Sequence, residues 1–451
     1  MKKVIRKNIS VMSFISAVFI TLFFSGCLNN HYNSQNAIET KYEIETETTN
    51  ETKETETAQD VTTETETENN TEPTAETETE SEPETESLTE AETENTDIPD
   101  ENTGNGMVES ILKNMTLEEK VCQMFVITPE DFNNQKKVIS VNGNIKENLA
   151  KYPVGGMVFF ASNLVEPVQT KNMLAQLQAE SKANSGLALF TCIDEEGGRV
   201  ARIGNNKAFN VEQIGAMANV KSEMEAFHAG DVIGEYLSYL GFNFDFAPDA
   251  DVITNSENKV IGDRSFGTDA EIVSEYALAY AKGLGEHDVL ATFKHFPGHG
   301  GTVGDTHEGY AFTDKNLDEL MKNELVPFIS AADNGVDAIM VAHISVPNIL
   351  GDNTPCSLSH YMVTDVLRKK LGYNGLICTD ALAMKAVANE YSSGEAAVAA
   401  ILAGNDIILM PENFYEAYEG VLDALEKGVI TEERINESIR RIIDAKLKIM
   451  K

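Results

Sequence analysis

The residues best suited to chemistry cluster in one stretch, Lys294-His295-Phe296-Pro297-Gly298-His299-Gly300, continued by Asp305 and His307. A histidine titrates near neutrality, so His307 suits a group that gives up a proton and later takes one back. Asp305 can hydrogen-bond that ring, fix its tautomer and favour the imidazolium, the part a carboxylate plays toward His in hydrolytic triads. Ahead of them Gly298, Gly300, Gly301 and Gly304 predict a mobile backbone that no ordinary strand or helix would tolerate. Asp380 follows the apolar run Gly375-Leu376-Ile377-Cys378-Thr379 and precedes Ala381-Leu382-Ala383-Met384. A carboxylate held there can trap an oxocarbenium-like centre, which together with an acid is what glycosidic cleavage needs. Its plainer use would be to cap the next helix.

A third cluster reads Asp194-Glu195-Glu196-Gly197-Gly198-Arg199-Val200-Ala201-Arg202. Tight turning at the glycines would let Asp194 and Arg202 face one site, where a carboxylate accepts hydrogen bonds from vicinal hydroxyls. Arg264 offers a fork of donors from a further loop, and Lys294 and His295 complete a ring of groups suited to a polyol. The competing use of the histidines is a metal site built from His295, His299, Asp305 and His307. Glycine-rich surroundings would give such a site little outer support, so no metal and no cofactor are expected.

These groups need a scaffold. Apolar, β-rich runs recur at 123–128, 156–160, 188–193, 243–248, 290–295, 338–343, 375–379 and 406–410. Amphipathic segments lie between them, at 172–181, 222–240, 272–286, 317–334, 359–371 and 394–403, with a closing helix at 432–450. Unbroken apolar strands alternating with helices predict a parallel sheet covered on both faces, and eight such units an α/β fold of the (β/α)8 TIM-barrel type. An open doubly wound sheet is the alternative, but no glycine-rich dinucleotide fingerprint follows the first strand. Asp194, Asp249, Lys294, His295, His343 and Asp380 all fall at or just past strand ends, where barrels of this type gather their functional groups.

The rest of the chain is a different material. The formal net charge is −38, and residues 31–106 hold 24 acidic side chains against two lysines. Such acidity excludes nucleic acid and an anionic membrane surface as electrostatic partners. Residues 38–105 form a Thr/Glu repeat too poor in apolar surface to offset chain entropy, so an extended, disordered tether is expected. Ahead of it, Lys2, Lys3, Arg6 and Lys7 precede an apolar stretch at 9–24 and then Phe24-Ser25-Gly26-Cys27. Small residues before a Cys at the end of such a stretch resemble a bacterial lipobox, with Phe24 where Leu is usual. The expectation is a lipoprotein-type signal over 1–27, a disordered linker over 28–106 and one catalytic domain over 107–451. Cys27 would carry the lipid and the barrel would face outward from the cell membrane. Cys122, Cys192, Cys356 and Cys378 lack metal-finger or CxxC spacing and are expected to be free, buried thiols.

In order and spacing, DEEGGRVAR, IGDRSFG, KHFPGHG with its DTH, and TDALAM resemble glycoside hydrolase family 3, and within it the bacterial β-N-acetylglucosaminidase branch. The resemblance covers residues 107–451. It implies Asp380 as nucleophile, His307 as general acid/base with Asp305 its partner, and Asp194, Arg202, Arg264, Lys294 and His295 around the terminal sugar. It further implies a metal-free, retaining, exo-acting enzyme on β-linked GlcNAc, particularly in peptidoglycan fragments, touching a membrane only through its N-terminal anchor. Thr379 stands where the branch more often has Ser before the nucleophile, so a hydroxyl is kept. The closing helix makes the chain similar to single-domain members. Other outcomes are a second family 3 β-glycosidase, a GlcNAc-releasing phosphorylase, or a sugar-binding lipoprotein without catalysis.

Overall fold

A computed structural model of the chain describes residues 104–450 apart from 134, 308 and 310. The signal segment, the linker up to 103 and the lipidation position Cys27 lie outside the described residues. The eight strands are β1 (Phe125–Ile127), β2 (Gly156–Val158), β3 (Phe190–Ile193), β4 (Phe244–Asp245), β5 (Leu290–Phe296), β6 (Ala338–Val341), β7 (Leu376–Thr379) and β8 (Ile408–Leu409). They pair in parallel in the order β7-β6-β5-β4-β3-β2-β1-β8. The ring closes where Cys378 bridges Ile407 and Thr379 Oγ1 accepts the Leu409 N–H at 3.1 Å. A (β/α)8 barrel is therefore present, with every predicted strand in place.

Every strand residue is buried, because barrel interior and helix ring cover both faces. Phe125, Phe190, Phe244, Phe246, Phe293 and Phe296 are at most 1% exposed, and Phe125 and Phe296 pack edge-on against Phe414 and Phe328 of the surrounding helices. The helices begin where local chemistry says they should. Ser222 caps Glu223–Leu240, Asp269 caps Ala270–Gly285, and Ser392 forms a capping box with Glu395 at the head of Ser393–Ala403.

Two helical expectations change. The segment expected as one helix at 317–334 is two, Leu317–Leu320 and Val326–Asn334. Pro327 sits in the first turn of the second, where its missing N–H costs nothing; within one continuous helix it would have broken a bond. Tyr361–Lys370 is wound as a π-helix, its end marked by the Leu371 N–H bonding the Val366 carbonyl. Glu432–Lys448 closes the ring, and its Lys446 reaches the barrel floor to donate to Gln123 Oε1 (2.7 Å) and the Gly155 carbonyl (2.8 Å). The four cysteines among the described residues are free and buried, as expected.

Candidate active site

The loop after β3 is fastened by a residue that sequence reasoning passed over. Glu195 is fully buried and accepts the N–H groups of Arg202 (2.5 Å), Ile203 (2.9 Å) and Gly204 (2.7 Å) and the Tyr236 hydroxyl (2.9 Å). Burial pushes its carboxyl above the ordinary range despite these bonds. The consequence is positional: the chain folds back so that Arg202 and Asp194 line the same cavity.

Glu196, also passed over, is the hub of the site. It takes a bidentate pair from Arg264 (2.7 and 2.8 Å) and the Lys294 ammonium at 2.6 Å. Burial alone would raise its pKa, but Arg264 and Lys294 more than offset it, holding the carboxylate ionised below the ordinary range. Lys294 also bonds Asp194 Oδ1 at 2.9 Å, and Arg202 approaches Asp194 Oδ2 at 3.5 Å. Arg264 lies 3.3 Å from Asp249 Oδ2 and 3.4 Å from His295 Nε2. Its fork is therefore occupied by Glu196 rather than open to a ligand as the sequence suggested.

His295 is set from behind by Asp251, whose Oδ2 is 2.7 Å from Nδ1. Arg264 has only protons to offer, so Nε2 is the acceptor, and Nδ1–H donates to Asp251. Burial and the Arg264 charge pull the His295 pKa down to about 4, so the ring is neutral at pH 7. Asp249, buried beside Asp251, is pushed up to about 7. The pair of acids in Asp249-Ala250-Asp251, on the loop past the end of β4, was the available signal.

The metal set drawn from His295, His299, Asp305 and His307 does not form. His295 and His299 turn Nδ1 to Asp251 and Thr302, while Asp305 and His307 pair with each other. Metal-ligand spacing occurs among the described residues at Asp249, Asp251 and His295 instead. The Arg264 guanidinium lies against two of those three.

Asp380 follows β7, and its Oδ1 accepts the N–H of Ala381 at 2.8 Å. It caps no helix: the next one is Lys385–Ala388, capped at Met384. Burial would raise its carboxyl, but His343 and His295 nearby and the Ala381 N–H outweigh that and hold it below the ordinary value. On the loop after β5, Asp305 Oδ1 accepts from both the backbone N–H and Nδ1 of His307, each at 2.9 Å. Burial is the largest single influence on Asp305 and opposes its ionisation, but the two bonds from His307 and its charge together outweigh it and hold the carboxyl below the ordinary range. The His307 side chain is 65% exposed, so its free edge is presented to solvent at the cavity mouth.

The glycines of this loop are not there to loosen it. A Cβ on Gly300 would stand 2.6 Å from the Val252 carbonyl carbon and closer still to its oxygen. One on Gly298, at φ 121°, would meet Glu324 Cβ at 2.5 Å. Asn255 and Asn258 side chains then bond the Thr302 and His299 carbonyls at 3.0 and 2.8 Å. The base of the loop is packed backbone to backbone, and the expectation of a mobile hinge there is corrected.

Asp380, His307, Asp305, Asp194, Lys294 and Arg202 all line one cavity of about 780 Å³ at the C-terminal mouth of the barrel, with His295 and Arg264 beside them. Every residue singled out from the sequence for catalysis or sugar binding is brought to that cavity. Residues 116–445 match the family described as Glycosyl hydrolase family 3 N terminal domain. The chain belongs to glycosyl hydrolase family 3. It is 34% identical over 331 residues to Beta-hexosaminidase A of Pseudoalteromonas piscicida, covering 68% of this chain and 55% of that protein. It is 32% identical over 339 residues to Beta-hexosaminidase LpqI of Mycobacterium tuberculosis, covering 73% and 82%. Among solved structures it is similar to a family 3 β-N-acetylglucosaminidase from Paenibacillus sp. FPU-7, with TM-score 0.70 and 35% identity over 74% of this chain and 63% of that one. The chain thus spans little more than half of the Pseudoalteromonas protein.

Proposed function

We propose that this family 3 chain is an exo-acting, retaining β-N-acetylhexosaminidase that removes terminal β-linked GlcNAc. The observation that carries the reading is the meeting of Asp380 with the His307–Asp305 pair in one cavity already lined with hydroxyl-binding charge. The names of its relatives, both β-hexosaminidases, agree with it. In the first step the Asp380 carboxylate attacks the anomeric carbon. The bond to the leaving oxygen breaks as His307, Nδ1 held by Asp305, delivers the proton on Nε2. In the second step His307 takes a proton from water, the water oxygen attacks the anomeric carbon, and Asp380 leaves. Two inversions return the original configuration. Asp194, Lys294 and the Glu196–Arg264 pair are fixed by one another before substrate arrives, so little reorganisation is needed at the reacting centre.

The aglycone we propose is an anionic cell-wall fragment, such as a GlcNAc–MurNAc unit. Lys259 and Lys385 line the same cavity without an ion-pair partner among the described residues, although the chain as a whole is strongly acidic. The N-terminal sequence supports export, lipidation at Cys27 and a tether that holds the barrel off the membrane. No helix among the described residues is long and apolar enough to cross one.

Comparing 4-nitrophenyl β-GlcNAc, β-GalNAc and β-glucoside, with and without phosphate, tests the activity. Release of free β-GlcNAc first, independent of phosphate, is the expected result. Preference for the glucoside would sink the assignment, and sugar 1-phosphate would replace hydrolysis with phosphorolysis. Metabolic palmitate labelling that survives Cys27→Ala would remove the anchor.

A further inference from the structure

His343, two residues past β6, is 1% exposed and does not itself line the cavity. A buried histidine with both nitrogens satisfied is ordinarily a core residue and nothing more. What distinguishes this one is what it holds. Nε2 lies 2.9 Å from the Ala381 carbonyl, so it must carry the proton and donate. Nδ1 is then the acceptor, and the Ser357 hydroxyl donates to it at 2.7 Å. Ser357 is itself fixed: its N–H bonds the Ala342 carbonyl at 3.2 Å and its carbonyl takes the Asn405 side-chain N–H at 2.8 Å. At the other end of the same residue, the Ala381 N–H, which belongs to the Asp380–Ala381 peptide, goes to Asp380 Oδ1 at 2.8 Å.

We propose that His343 is a positioning residue for the nucleophile: through the chain Ser357, His343, Ala381 it anchors the carbonyl of the residue whose N–H aims the Asp380 carboxylate. The inference rests on the reading of Asp380 as nucleophile. The serine selects the tautomer, the tautomer supplies the donor, and the donor holds the Ala381 carbonyl. With that carbonyl held and the Asp380 N–H bonded to the Val341 carbonyl at 2.9 Å, the Ala381 N–H stays on Oδ1 and Oδ2 is left to attack. A misplacement of about 1 Å at a reacting atom costs roughly 100-fold in rate, so the effect belongs in kcat rather than in substrate affinity.

The test uses His343→Leu, His343→Gln and Ser357→Ala with 2,4-dinitrophenyl β-GlcNAc, whose leaving group needs no proton, so that the rate reports attack by Asp380. His343→Leu is expected to lose roughly 100-fold in the rate of glycosyl-enzyme formation, with inhibition by free GlcNAc unchanged. His343→Gln, which can still donate to the carbonyl, should recover most of the rate. Ser357→Ala, which releases the tautomer without removing the ring, should lose several-fold in kcat alone. Near-wild-type rates in both His343→Leu and Ser357→Ala overturn the proposal. If His343→Leu does not fold, an unchanged kcat in Ser357→Ala is sufficient to overturn it. A wild-type enzyme inactive on every β-GlcNAc glycoside would instead indict the reading of the site itself.

Discussion

Substituting Gly300 by alanine separates the two uses of glycine in the loop that carries His307. The new Cβ would stand 2.6 Å from the Val252 carbonyl carbon, whereas carbons rest at about 3.5–4.0 Å, so roughly 1 Å of room must be found. Val252 cannot supply it cheaply, because the next residue, Ile253, is bonded through its N–H to the Gly267 carbonyl at 2.9 Å. The loop must therefore move. Overpacking of this kind costs about 1–3 kcal/mol, and a shift of about 1 Å in the acid costs roughly 100-fold in any step that needs its proton. The assay is kcat/KM for Gly300→Ala on two substrates, a GlcNAc disaccharide and 2,4-dinitrophenyl β-GlcNAc, with a melting curve alongside. The expected result is about 100-fold loss on the disaccharide, a few-fold at most on the activated glycoside, and a lowered Tm. Wild-type rates on both substrates with an unchanged Tm would mean the segment has slack. The glycines would then serve flexibility after all.

Asp380→Ala should lower turnover of every β-GlcNAc substrate by at least about 10⁴-fold while leaving the circular dichroism spectrum unchanged; substantial residual turnover would assign the nucleophile elsewhere. His307→Ala should lose about 10²–10⁴-fold on poor leaving groups and much less on activated ones, and equal losses on both would count against it as the acid. Lys294→Met leaves Asp194 and Glu196 without their shared cation. Breaking a buried pair costs about 3–5 kcal/mol, so the variant should melt earlier and lose activity together, as calorimetry would show. Lys446 has its pKa pulled down to about 7 by burial. Above pH 7 the folded chain has released that proton while the unfolded chain keeps it until about 10.4. Wild type should therefore gain on Lys446→Met by about 2–3 kcal/mol between pH 7 and pH 9. A difference flat with pH would mean that Gln123 and the Gly155 carbonyl keep the ammonium charged.

Much of this enzyme is written locally. Strand and helix alternation, the capping residues and the ionisable groups at strand ends are patterns of neighbours along the chain, and the eight strands and the cavity-lining residues followed from them. The break at Pro327 was equally local, and its signal stood in the sequence. Glu195, Glu196, Asp251 and His343 were harder, because a carboxylate or imidazole in sequence does not say whom it will face. Glu196 meets Arg264 and Lys294 across 68 and 98 residues, and His343 meets Ala381 across 38. Coulomb energy and hydrogen bonding depend on distance through space, which only the closed barrel defines. The glycines show the same division. Their lack of a side chain is a fact of sequence, and it permits either free rotation or close approach. Only the backbone of residues 252–254 lying against the loop decides that here it serves close approach, because a steric limit exists only once a neighbour is in place.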